Sequence, residues 1–193
     1  MIQIILASGS PRRKLLLKKL NLKFKIIKPF INEKKILKKI NNNNPYTVAC
    51  LLAFEKALSV AKKIKNRIIL GADTIVVLKN EIIGKPENVD DAVKILKKLS
   101  GSTHRVITGV ALINSETFNF ITFSDTSYVS FKKLKIKEIL NYIKNNNVMD
   151  KAGAYAIQEG ADPFIKEIKG SYDNVIGLPT EKLKKVLGVF KKL

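Results

Sequence analysis

The sequence predicts an α/β protein with a mixed, twisted sheet and flanking helices. Short apolar runs of strand character alternate with stretches of helical period through the first half of the chain. Two long strand-like runs, Arg105 to Asn114 and Phe118 to Phe131, then follow one another as in a hairpin, joined near Ser115 and Glu116. With 193 residues, 46 % of them hydrophobic, the chain suits one domain with its own core, in one lobe or two.

Gln3 to Leu6 reads as a short buried strand. Ala7-Ser8-Gly9-Ser10-Pro11 makes a turn, and Pro11 suits the first position of a helix capped by Ser10. Leu15, Leu16 and Leu20 are expected to share one face of that helix. Lys23 to Ile27 is the next strand, and the polar, irregular stretch 28–46 is a candidate link between lobes. Thr47 to Ala61 predicts a helix in which only Glu55, Lys56 and Ser59 are polar from Val48 onward. A helix apolar nearly all round is largely buried, so its two charges must pair, reach solvent or line a pocket. Arg67 to Leu70 and Ile75 to Leu78 are strand-like, with Gly71-Ala72-Asp73-Thr74 between them.

Gly84-Lys85-Pro86 reads as a turn, and after it comes the clearest helix of the chain. Asn88 caps it, Asp90 and Asp91 lie in its first turn, and Val89, Val93, Leu96 and Leu99 form its stripe. Lys97 and Lys98 end it before Gly101, in keeping with the helix dipole. After the two long strands, Ile136 to Lys144 predicts a helix, and Ala152 to Ile157 and Phe164 to Ile168 predict short strands. A last helix runs from Thr180 to about Phe190, after Gly177-Leu178-Pro179.

Composition removes several function classes. No apolar run approaches the ~18 residues that span a bilayer. The apolar run of the N-terminus precedes its basic residues, the reverse of a secretory signal. The protein is therefore expected in the cytoplasm, away from membranes. Cys50 is the only cysteine and His104 the only histidine. No intramolecular disulfide and no Cys/His zinc cluster can form, and Ser-His or Cys-His catalysis would have to run through His104 alone.

The formal net charge is +20. One reading is a nucleic-acid surface, since basic stripes attract phosphates. The other is a drift of composition toward Lys, Asn and Ile, visible in Asn41 to Asn44 and Asn145 to Asn147. Lysines are spread over almost every helix, and no tract interleaves Arg with aromatics, so no specific nucleic-acid partner is expected. A general positive field still draws in small polyanions. The sequence leaves oligomeric state open, a homodimer included.

Five segments carry chemistry. Ser8-Gly9-Ser10-Pro11-Arg12-Arg13 is a small-residue turn between strand and helix. Its backbone N–H groups, hydroxyls and guanidinium groups suit phosphate, although the Walker pattern is absent. It reads also as a capped surface helix with two solvated arginines. Asp73 follows an apolar run, where a carboxylate holds Mg²⁺ or acts as general base, or else closes an Asx turn. Lys85, in its turn, suits a phosphate. Lys151 to Gln158 is a small-residue segment that either packs tightly or admits a flat ligand, with the Gln158 amide able to read a base edge. Gly170-Ser171-Tyr172-Asp173-Asn174 alone is a loop before a helix.

Together these segments resemble the Maf family of nucleotide pyrophosphatases, first named for septum formation. The matching stretches are LASGSPRRKLLL, FEKAL, GADTIVVL, GKPENVDDAVKILKKLSGSTHRVITGVAL, DKAGAYAIQ and GSYDNVIGLP, in family order and spacing. The resemblance covers nearly the whole chain and implies a single domain of this kind over residues 1–193. It implies two lobes around a deep cleft, similar in shape to the inosine-triphosphate pyrophosphatases. It also implies cleavage between the α and β phosphates of a nucleoside triphosphate with a divalent cation, Mg²⁺ or Mn²⁺. Asp73 matches the family's catalytic base. Ser8 lies in the matching turn, and Ser10, Arg12, Arg13, Lys56 and Lys85 match the phosphate side. Glu33 matches an acidic position that serves metal or catalysis, with Asp73 as its companion. This chain has Phe30-Ile31-Asn32-Glu33 where the family often has Asp-Ile-Asp-Glu, so two carboxylates are lost. Glu159 stands where a glycine commonly follows the glutamine.

Arg12, Thr74 and Gln158 are similar to the branch acting on dTTP and UTP, with CTP and modified pyrimidine nucleotides as further candidates. A triphosphate carries about four negative charges, which Arg12, Arg13, Lys56 and Lys85 can answer. Two alternatives remain: the same fold acting on 7-methyl-GTP, and a basic nucleic-acid-binding protein, which filter binding with duplex and single-stranded DNA would detect.

Overall fold

The computed structural model describes residues 3–39 and 44–190. In chain order these form β1 (Ile4–Ala7), α1 (Pro11–Lys18), β2 (Phe24–Ile27), α2 (Glu33–Lys39) and α3 (Pro45–Ala61). β3 (Ile68–Leu78), β4 (Glu81–Ile83), α4 (Val89–Leu99), β5 (Thr103–Asn114) and β6 (Phe120–Phe131) follow. α5 (Ile136–Asn145), β7 (Ile165–Lys169), α6 (Tyr172–Ile176) and α7 (Thr180–Phe190) complete the chain. The strands make one seven-stranded sheet in the order β2-β1-β3-β5-β6-β7, with β4 on β3. β1 pairs in parallel with β2 and β3, while β4 on β3 and β7 on β6 are antiparallel. The sheet is mixed and carries helices, as the sequence predicts.

Two compact units divide the residues. The first takes the chain up to Asp73, Thr108–Asp125, and the chain from Gly177. Its core gathers Ile5, Ala7, Ala53, Ala57, Val60, Ile69, Ala111 and Ile113. The second takes Thr74–Ile107 and Thr126–Ile176. Its core is built on Val76, Leu96, Leu99, Val106, Phe131, Tyr142, Tyr155 and Phe164.

Several local expectations are met to the residue. Ser10 caps α1, its Oγ accepting from Arg13 N–H at 3.4 Å, with Pro11 in the first turn. Asn88 caps α4 through Asp91 N–H at 2.9 Å, and Leu96 and Leu99 of the expected stripe are buried; Ala92 completes that face in place of Val89, which is exposed at the first turn, and Val93 is half-buried.

Other expectations are corrected. In α1 the buried leucines are Leu16 and Leu17, whereas Leu15 is exposed and Leu20 lies in the turn after the helix ends at Lys18. The stretch 28–46 is not irregular throughout. α2 begins in it, capped by Asn32 Oδ1 on Lys35 N–H at 2.9 Å, and α3 opens at Pro45 under Asn44 rather than at Thr47. Residues 40–43 of that stretch lie outside the described residues. Beyond the predicted elements, β4 forms a hairpin with β3 through Lys79 and Asn80, at φ 48° and 68°. Two left-handed residues give the turn that matches strand twist.

The correction with most consequence concerns Gly71 to Thr74. They are not a turn but the middle of the continuous strand β3. A Cβ on Gly71 would stand 2.1 Å from the Ala53 carbonyl oxygen of α3. The glycine is there so that helix and strand backbones can touch. Likewise, Ala152 to Ile157 is not a strand. Gly153 sits at φ 73°, and residues Ala152–Ala154 and Ile157–Glu159 are single turns of 3-10 helix. Tyr172–Ile176, expected as loop, is a short helix.

Candidate active site

Close packing of α3 on β3 builds the centre of the site. Ala53, Lys56 and Ala57 share one helix face, since residues three and four apart are neighbours. Gly71 and Asp73 share one strand face, two residues apart. Where the helix rests on Gly71, Lys56 therefore meets Asp73. The Lys56 Nζ donates to Asp73 Oδ1 at 2.5 Å and lies 2.8 Å from Glu33 Oε1. Lys56 and Asp73 are buried, while the Glu33 side chain is 35 % exposed. The charged pair in an apolar helix is thus resolved for Lys56: it pairs. Breaking a buried pair costs ~3–5 kcal/mol when the remaining charge has no other partner; Lys56 keeps Glu33 as a second one.

The Ser8–Arg13 segment belongs to the same unit. Ser8 is buried, and its Oγ accepts from Ser10 N–H at 3.1 Å. A serine hydroxyl that accepts a bond keeps its own proton to donate. Arg12 and Arg13 are half-buried in the first turn of α1. The Arg13 Nε donates to the Gly177 carbonyl at 2.8 Å, which fixes the guanidinium plane. Burial lowers the Arg13 pKa and Arg12 lowers it further, while Asp73 and Glu33 raise it. The two carboxylates of the cluster thus favour the charged form of Arg13.

Thr74 follows Asp73 on β3 and is half-buried. Lys85 and Gln158 belong to the second unit, where both are exposed. Residues 84–86 are an irregular link rather than a turn, held by Gly153 N–H on the Gly84 carbonyl at 3.0 Å. Gln158 sits in the 3-10 turn Ile157–Glu159. The sequence reading missed Gly177 as the acceptor that orients Arg13. The two are 164 positions apart, and no local pattern signals such a partner.

Glu33 and Asp73 are hard oxygen donors. Among the described residues no group of three or more His, Cys, Asp or Glu could hold a metal ion. A pair of carboxylates nevertheless fits Mg²⁺ or Mn²⁺, which take one or two carboxylates and complete the shell with phosphate oxygens and water. Among the described residues no helix is long and apolar enough to cross a membrane.

His104, the lone histidine, stands apart from this chemistry. It is buried in the second unit, its Nε2 2.7 Å from Tyr155 Oη and its ring edge-on to Phe131. Burial lowers its pKa to about 4.

Known proteins give the context. The model of the Maf family, described as Maf-like protein, matches residues 3–190. A protein of Acetivibrio thermocellus called dTTP/UTP pyrophosphatase is 44 % identical over 197 residues, covering 98 % of this chain and 96 % of its own. Proteins of the same name from Aquifex aeolicus and Bacillus cereus are 43 % and 41 % identical. The alignments cover 96 % and 98 % of this chain, and 94 % and 96 % of theirs. A match over nearly the whole described chain, with full-length relatives above two-fifths identity, settles descent: the chain belongs to the Maf family.

Proposed function

We propose that this chain hydrolyses the pyrimidine triphosphates dTTP and UTP to the monophosphate and pyrophosphate. The observation that carries the reading is the Glu33–Lys56–Asp73 cluster, in one unit with the Ser8–Arg13 turn and coupled to it through Arg13. Its full-length relatives are called dTTP/UTP pyrophosphatases.

The backbone N–H groups at the start of α1, with Ser8, Ser10, Arg12 and Arg13, receive phosphate oxygens. Arg13 does so from a fixed plane, because Gly177 holds its Nε. When phosphates bring their own negative charge, the Lys56 ammonium has new anionic partners besides Asp73. Asp73, so relieved, orients a water and takes its proton for in-line attack at the α-phosphorus. Lys56 and Lys85 answer the charge of the departing pyrophosphate. A divalent cation held by Asp73 and Glu33 would neutralise phosphate oxygens and stabilise developing charge. Fixed donors aimed at that charge supply most of the acceleration. Uracil and thymine present a carbonyl beside an N–H, and the Gln158 amide answers both. With Arg12 and Thr74 it sets the preference for pyrimidines.

The test is a panel of nucleoside triphosphates with Mg²⁺ or Mn²⁺, assayed for pyrophosphate. dTTP and UTP should have the highest kcat/KM, with CTP behind them and turnover lost in excess chelator. A wild-type preference for 7-methyl-GTP would overturn the substrate assignment, and activity undiminished by chelator would overturn the role of the cation.

A further inference from the structure

Phe30 is 91 % exposed, more than any other large hydrophobic side chain among the described residues. It lies on the short link between β2 and α2. Both ends of that link are held. The methylenes of Lys28, two residues before it, lie 3.7–3.8 Å from where a Cβ on Gly9 would stand. Glu33, three residues after it, reaches Lys56 at 2.8 Å. A chain covers at most ~3.6 Å per residue, so the Phe30 backbone is tethered within roughly 11 Å of both anchors. Pro29 stiffens the link just before it. Phe30 thus lies on a short segment whose two ends touch the anion-binding turn and the carboxylate–lysine cluster, and its ring is open to solvent.

Resting on the function proposed above, we propose that Phe30 stacks on the base of the bound nucleoside triphosphate. A triphosphate anchored on the Ser8–Arg13 turn extends its ribose and base away from the anchor. A flat aromatic face near that path is what a base seeks, because every base has a π-face to offer. Such a contact is made in the bound substrate as much as in the transition state, so it belongs in KM rather than kcat.

The test compares wild type, Phe30→Ala and Phe30→Tyr in steady-state hydrolysis of UTP and in inhibition by inorganic tripolyphosphate, which has phosphates and no base. Phe30→Ala should raise KM for UTP about tenfold, leave kcat within about twofold and leave inhibition by tripolyphosphate unchanged. Phe30→Tyr should restore the wild-type KM. An unchanged KM in Phe30→Ala, with the wild type active, would overturn this inference alone. So would a parallel weakening of tripolyphosphate inhibition, which would place the effect in the phosphate turn. A wild type inactive on every nucleoside triphosphate would overturn the function itself, and the stacking role with it.

Discussion

Asp73 is 7 % exposed and accepts from a buried ammonium, and its replacement isolates charge from shape. Asp73→Asn keeps the volume and still offers an oxygen to Lys56, so the fold should persist by circular dichroism. It takes away the base proposed above, and turnover should fall by ~10²–10⁴; activity within tenfold of wild type would end this role. His104 makes a separate prediction about stability. Its folded pKa is about 4, lowered by burial from 6.5. The charged ring would carry a proton on Nδ1, which has no partner among the described residues. The unfolded chain therefore binds more protons than the folded one between those values. Stability is full above pH 6.5 and declines as pH falls toward 4, by about 3 kcal/mol in total from this group. Melting temperature followed over that range should fall in wild type and fall less steeply in His104→Phe. Equal slopes would remove His104 from the account.

At the scale of elements, two glycines make opposite predictions from one substitution. Gly71→Ala would drive a Cβ to 2.1 Å from the Ala53 carbonyl oxygen, so α3 must move off β3. Overpacking costs ~1–3 kcal/mol, and a chain of this size loses about 2–4 °C of Tm per kcal/mol. Activity should fall as well, since α3 carries Lys56. Gly188→Ala, in α7 with nothing within 4 Å, should instead raise Tm slightly by removing a helix glycine. Calorimetry on both variants reads the contrast; the same sign of shift in both would contradict it. Gly71 also explains one limit of the sequence reading. Glycine and aspartate are turn residues, so Gly71 to Thr74 reads as a turn, and the opposing backbone that makes the glycine necessary lies on α3, visible only in three dimensions. α4 was legible in its bounds because cap, acidic first turn and basic last turn all agree, although its buried face takes Ala92 rather than Val89. α2 was not, because a seven-residue lysine-rich helix shows too little periodicity to declare itself.

Across the whole molecule, the α/β class followed from alternation of strand and helix patterns, and the family from motifs spread over the full length. The site residues were legible as types and spacings. Their partners were not: Lys56 bridges Glu33 and Asp73, and Arg13 finds its acceptor at Gly177. Such partners are set by packing between distant segments, which local pattern does not encode. The net charge of +20 adds a field that favours polyanionic ligands without choosing among them. The choice of reaction rests on Asp73 delivering water to the α-phosphorus. Hydrolysis of UTP in heavy-oxygen water, followed by phosphorus NMR of the products, tests this most directly. Pyrophosphate should carry no label, and UMP should carry one heavy oxygen on its phosphate. Orthophosphate as the first product, or label in the pyrophosphate, would contradict it.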